Sequence, residues 1–330
     1  MTTPFIGYAA RLEQFAPAEA VALAVLAEQH GFDGTVANDR FQPRVPAQGE
    51  ASFAWSVLGA LGAQTTGGIG AITTPGYRMH PAVVAQASAT LAALFPGRHW
   101  LAIGSGEAIN EHVVGQYWPE APERIARMFE AIDVIKKLFA SGVAGRDVKH
   151  AGPYFSLESA RLWTMPATPP PLFVATSGPV TAKRAGKTVD GIVTVEAPDE
   201  RLDALFRRFD EGCREAGRPP GTKVLQVAVS WAETDEQAAR NALAEGADAA
   251  LRFPTADIRS PFDFAQMARM VRVDDFVGNV FISSDPDAHR AHLQRFADLG
   301  VDRIHVHNVG RNQREFIEVY GRDVLPKVVR

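Results

Sequence analysis

The chain has 330 residues, 46% of them hydrophobic and 22% charged, with a net charge of −4 and a single cysteine. That composition excludes a disordered chain, and mixed charge with no Lys/Arg run argues against nucleic acid or an acidic membrane as a partner. One thiol, Cys213, cannot form an internal disulfide, and no apolar run reaches the ~18 residues of a spanning helix. Met1 to Ala10 is too short for a signal segment before Arg11 and Glu13, so the cytoplasm is the expected location.

Strand-like apolar runs alternate with helix-period segments almost from end to end. A strand at 5–9 leads into a helix at 17–30. The next, at 34–37, runs into Asn38, Asp39 and Arg40 ahead of a helix at 53–64. A third, at 67–73, closes on Thr73-Thr74-Pro75 before a helix at 81–95. The fourth, at 99–103, ends in Gly104-Ser-Gly-Glu107, with Asn110 and Glu111 close behind and a helix at 120–138. The rhythm then breaks: 148–163 carries a Gly-Pro turn between alternating stretches and reads as an inserted hairpin.

Pro166 to Pro171 stiffens the approach to a strand at 172–175, whose end, Ala175-Thr-Ser-Gly-Pro179, opens a helix at 180–185. Strands at 191–195 and 224–229 follow, with helices at 199–216 and 235–246. A second irregular stretch, 251–281, holds Pro254, Pro261 and several aromatics. A helix at 286–299, a strand at 303–307 and a helix at 313–325 complete the chain. Eight strands with intervening helices predict a closed (β/α)8 TIM barrel, a fold that commonly uses ~250 residues or more as one domain. Residues 1–330 are thus expected to form one barrel domain with rim insertions at about 143–170, a hairpin, and 250–282, a substrate lid.

Barrel enzymes carry their chemistry at the carboxyl ends of the strands, which directs attention to Asp39, Thr74 and the run from Gly104 to Glu111. Gly104-Ser-Gly-Glu107 is neither a dinucleotide fingerprint nor a Walker loop, and the plainer reading of Glu107 is a solvated helix cap. The amides of Ser177 and Gly178 with the Thr176 hydroxyl suit an anion cradle, set against an ordinary strand-to-helix turn with proline at the first helical position. His30, His99 and His150 have no partner pattern, and His289 and His292 share a helix without a third ligand. His112 lies on the rim beside Glu111, and His305 and His307 alternate along one strand so that both can face one side. No spacing argues for a metal.

Several segments together resemble the F420-dependent glucose-6-phosphate dehydrogenase group of the luciferase-like superfamily. They are Glu13-Gln-Phe15, Asp39-Arg-Phe-Gln-Pro43, Thr74-Pro-Gly-Tyr-Arg-Met-His-Pro81, Ala85-Gln-Ala87, Pro96-Gly-Arg98, Gly104-Ser-Gly-Glu-Ala-Ile-Asn-Glu111, Trp118-Pro-Glu120, Gly178-Pro179 and Ser283-Ser-Asp-Pro-Asp287. The resemblance implies a TIM barrel, usually a homodimer, that holds the deazaflavin coenzyme F420 at its carboxyl rim and moves a hydride between C5 and a substrate carbon. By matched position Asp39, Thr74, Ser105, Asn110, Ala175, Thr176, Ser177 and Gly178 would hold the coenzyme. Ala71-Ile72 would form a non-proline cis peptide behind the ring, a bond that costs ~3 kcal/mol. Glu107 corresponds to the proton donor and Glu13 to a carboxylate beside the substrate.

The departures bear on the substrate. Where the sugar-phosphate enzymes have a histidine base after the aspartate, this chain has Arg40, which stays protonated at ordinary pH. A tryptophan is replaced by Arg44, and the positions of the phosphate-gripping basic residues read Glu196-Ala-Pro198, Thr255 and Asn279. The expectation is therefore a ketone, enone or sugar-type substrate other than glucose-6-phosphate. Glu107, Arg40, Glu13 and Asp39 would be catalytic, and Glu13, Arg44, His112 and Thr255 would contact the substrate. Arg40 would polarise a carbonyl, or with Arg44 clamp a carboxylate or phosphate. A redox-neutral epimerase, an FMN-dependent monooxygenase and a coenzyme-binding barrel without turnover are the competing expectations.

Overall fold

The computed structural model describes residues 4–251 and 253–329. Its strands are β1 (Phe5–Ala10), β2 (Gly34–Asn38), β3 (Gly68–Thr73), β4 (His99–Ile103), β5 (Val148–Ala151), β6 (Ser156–Ala160), β7 (Leu172–Ala175), β8 (Gly191–Val195), β9 (Thr222–Trp231), β10 (Phe281–Ser283) and β11 (Arg303–Asn308). Eight of them pair in parallel in the order β1-β2-β3-β4-β7-β8-β9-β11, and β11 returns to β1 to close the ring. Helices cover the outside, so this is a (β/α)8 barrel.

All eight barrel strands lie where hydrophobic runs predict them. β5 and β6 form the expected antiparallel hairpin, with His150 opposite Leu157. The stretch from 251 to 281 holds more structure than its prolines suggest: a helix at Pro261–Ala268, a 3-10 turn at Val273–Phe276, and then β10. β10 pairs with the last residues of β9, Val229 to Trp231, beyond the point where β8 ends. The final helix is broken, passing at Val319 into a π turn at Tyr320–Val324, where Gly321 packs so closely on the His30 carbonyl that a side chain would not fit.

Helix starts follow local chemistry. Proline stands in the first turn at Pro17, Pro81, Pro122, Pro179, Pro261 and Pro286, where its missing N–H costs nothing. Asp285 and Thr234 cap their helices by accepting from the amides of Asp287 and Gln237. The helix at Asp199–Glu215 buries Leu202, Leu205, Phe206, Phe209 and Cys213 on one face, the spacing of an amphipathic helix on a sheet.

Inside the ring, alternate residues of each strand decide where space is left. Low in the barrel, Trp100, Phe173 and His305 fill the interior, with ring centroids 5.3 Å and 5.6 Å apart. Glycines make this possible: a Cβ on Gly70 would lie 2.1 Å from the Trp100 ring, and one on Gly7 would lie 2.3 Å from His305. Burial pushes the His305 imidazole down to about 3, so it is a neutral core side chain. One layer higher the interior residues include Ala9, Ala102 and Ala175, each beside a larger neighbour, Val36, Ile72 and Val193. Small side chains there leave the carboxyl mouth open.

The peptide between Ala71 and Ile72 is trans, as are all peptides of the described residues, which corrects the expected cis bond. Both neighbours hold β3 in regular register through this point: Ala71 and Ile72 lie opposite Ala37 and Asn38 of β2, and opposite Leu101 and Ala102 of β4. No helix among the described residues is long and apolar enough to cross a membrane.

Candidate active site

The mouth of the barrel holds two adjoining lobes. The first, about 360 Å³, opens over the ends of β2, β3, β4 and β7; the second, about 340 Å³, lies over β1, β9 and β11 and beneath the segment after β9. Asn38, Arg40, Arg44, Val195 and Gln226 line both and form the wall between them.

The structure gathers most of the residues singled out from the sequence at the first lobe. Asp39, Ile72, Thr74, Ser105, Glu107, Asn110, Ala175, Thr176 and Ser177 all line it. Asn110 also shapes the rim, its side-chain carbonyl accepting from the amides of Phe41 at 3.0 Å and Gln42 at 3.3 Å. Thr255 lines the second lobe with Glu196 and Asn279, and Glu13 stands behind Arg40. Three residues lie elsewhere. Ala71 faces the outer core because strand side chains alternate. Gly178 is not in the lining, and its N–H donates to Thr176 Oγ1 at 3.1 Å, so one arm of the expected anion cradle is already engaged. His112 is turned back on its own helix, Nδ1 lying 2.6 Å from the Ala108 carbonyl, and lines neither lobe.

Charge at the wall is tightly paired. Arg40 donates Nε to Glu13 Oε1 at 2.7 Å and reaches Glu107 Oε2 at 3.5 Å. Arg44 bonds the other Glu107 oxygen, lies 3.7 Å from Asp248 Oδ2, and stacks on the Phe264 ring at 5.0 Å. Arg11 completes the group, 3.9 Å from Glu13. Burial works to raise the Glu107 carboxyl, but Arg44 and Arg40 outweigh it and hold it below the ordinary range, so Glu107 is a carboxylate at neutral pH. In the free protein it has no proton to donate. Arg40 is kept charged despite its burial by Glu107, Glu13 and Asp248.

Two residues that the sequence reading left out of the site organise its other side. Arg78 bridges Asp39 Oδ2 at 3.3 Å and Glu111 Oε2 at 3.2 Å, and also donates to the Asp39 backbone carbonyl at 2.9 Å. Thr73 Oγ1 donates to the same Asp39 oxygen at 2.8 Å, while Asp39 Oδ1 is buried with no protein partner. Burial pushes the Glu111 carboxyl up to about 7 against the pull of Arg78. Arg78 lies within the Thr74-to-Pro81 segment, but nothing in its spacing announces the double ion pair, which exists only once β2, β3 and β4 stand side by side.

A model of the family described as luciferase-like monooxygenase matches residues 1–303. The chain belongs to the luciferase-like family. It is 34% identical to the F420-dependent glucose-6-phosphate dehydrogenase of Microbacterium testaceum (strain StLB037), over 99% of this chain and 98% of that protein. Among solved structures, an F420-dependent secondary alcohol dehydrogenase in complex with an F420-acetone adduct superimposes with a TM-score of 0.92 at 30% identity, covering 100% of both chains. The coenzyme F420-dependent tetrahydromethanopterin reductase from Methanopyrus kandleri shares the fold, with a TM-score of 0.80 at 20% identity over 99% of this chain and 100% of that one.

Proposed function

We propose that this luciferase-like barrel is an F420-dependent oxidoreductase acting on an uncharged alcohol, ketone, enone or sugar-type substrate, and not on glucose-6-phosphate. Relatives that match over the whole chain carry F420 dependence in their names. The first lobe fits such a group. Ile72, Ala175 and Val193 offer apolar walls, Thr74, Ser105, Thr176 and Ser177 supply hydroxyls at the rim, and Asp39 Oδ1 is an acceptor still without a donor. Asp39, Ser105, Asn110 and the 175–177 turn would hold the coenzyme, which when bound supplies a hydride donor or acceptor at C5.

The observation that carries the substrate class is the paired wall. Arg11, Arg40 and Arg44 are matched in number by Glu13, Glu107 and Asp248, so among the described residues the arginines of the second lobe carry no excess positive charge to draw in a phosphate or carboxylate. An anionic substrate would have to break these pairs and leave a buried carboxylate exposed to it. Arg40 and Arg44, lining both lobes, are placed to polarise a substrate oxygen at the junction. Glu107, held as a carboxylate between them, suits acceptance of an alcohol proton; in the reductive direction it must first take a proton from solvent. The segment at 250–282 is the proposed cover of this lobe, and a homodimer in the cytoplasm belongs to the same reading.

Oxidised F420 supplied with secondary alcohols and free sugars, alongside glucose-6-phosphate, and reduced F420 supplied with ketones and enones, test this. Turnover confined to uncharged compounds is expected, and a clear preference for the sugar phosphate would contradict the proposal.

A further inference from the structure

His307 points into the second lobe from β11, one interior position above His305, and its environment fixes which ring nitrogen carries hydrogen. Arg11 Nη1 lies 3.2 Å from His307 Nδ1. A guanidinium only donates, so Nδ1 must present a lone pair. An imidazolium has none to present; the ring is therefore neutral, with its single hydrogen on Nε2. His307 Nε2 is buried and has no partner in the protein. Buried donors are nearly always satisfied, so this N–H, covered just behind the wall of the second lobe, marks a place for a ligand acceptor that enters as the wall side chains part.

We infer that His307 is a substrate-binding residue whose Nε2–H donates to the oxygen of an uncharged carbonyl or hydroxyl compound in the second lobe. The inference rests on the proposed function for the identity of that compound, but not for the state of the ring. His307 has no lone pair left to act as a base, and giving up its Nε2 hydrogen would leave an imidazolate, so the ring binds and polarises without transferring a proton. Burial, with Arg11 and Arg40 as the neighbouring cations, further opposes a second proton on it. Arg11 thus acts through His307 as a positioning residue.

The test is ¹⁵N NMR of the protein labelled at histidine, with the His307 signals identified by their loss in His307→Gln. Two-bond proton–nitrogen correlations are expected to show the Nε2–H tautomer in the protein alone. Cyclohexanone should shift the Nε2 resonance, and methylenecyclohexane, which lacks the oxygen, should not. Ketone affinity should fall about 3- to 10-fold in His307→Leu and recover in His307→Gln, whose amide N–H reaches a similar place. An Nδ1–H or doubly protonated ring, a ketone-insensitive Nε2, or equal losses in the two variants would overturn the inference. A protein that shows the expected tautomer and ketone response but ignores F420 would overturn the proposed function alone.

Discussion

Glu107 lies between Arg40 and Arg44, and its chemistry depends on both. Replacing it by glutamine keeps a hydrogen-bonding side chain of the same size and removes the carboxylate. We expect Glu107→Gln to leave F420 affinity within about 3-fold and to lower kcat by ~10²-fold or more, measured by steady-state kinetics with the best alcohol or ketone. Unchanged kcat would take Glu107 out of the proton path. Arg40→His places a titratable base after Asp39 while leaving Glu13 without its 2.7 Å partner. It should change the ratio of alcohol oxidation to ketone reduction, and an unaltered ratio would show that Arg40 is remote from the reacting oxygen.

Glu111 gives a pH dependence of stability with a definite sign. Its carboxyl is raised by burial to about 7 in the folded protein, above the value of an exposed glutamate. Between these two values the folded state holds a proton that the unfolded state has lost, so this group makes stability fall as pH rises from about 4.5 to 7. Above pH 7 the full loss is present. Glu111→Gln should flatten that part of the curve, by an amount on the order of 1–3 kcal/mol between pH 5 and 8 in urea unfolding. An unchanged slope would mean that Arg78 compensates the buried charge fully.

At the scale of elements, the barrel depends on side chains that alternate along each strand. Gly70 of β3 sits where a methyl group would meet Trp100 of β4. Gly70→Ala should therefore cost about 1–3 kcal/mol by overpacking, read as a lower urea midpoint, and an unchanged midpoint would show that the Trp100 ring can move aside. The eight barrel strands were legible because each is a short apolar run between turn signals. β10 was not: three residues, Phe281–Ser283, carry too little pattern, and their pairing depends on β9 outrunning β8. Asp39, Ser105, Thr176 and Glu107 were legible as polar groups at strand ends. Arg78, Arg11 and Asp248 were not, because the contacts of Arg78 with Asp39, Arg11 with His307 and Asp248 with Arg44 join segments far apart in the chain. His112 misled for a local reason: on the rim in sequence, it has the Ala108 carbonyl of its own helix as a nearer partner.

For the molecule as a whole, the closed ring places two lobes side by side with a charged wall between them, so that a coenzyme and a substrate can meet across it. The coenzyme side depends on space as well as polar groups. Ala175 is the small residue at the end of β7 that lines the first lobe, and filling it with Ala175→Trp should abolish coenzyme binding while the second lobe and its His307 signals are retained. The measurement that bears most directly on the account is an equilibrium titration of the intact protein with F420 and, in parallel, with FMN, followed by visible absorbance and fluorescence. Saturable one-to-one binding of F420, lost in Ala175→Trp, is the predicted result; tight FMN binding with no response to F420 would contradict it.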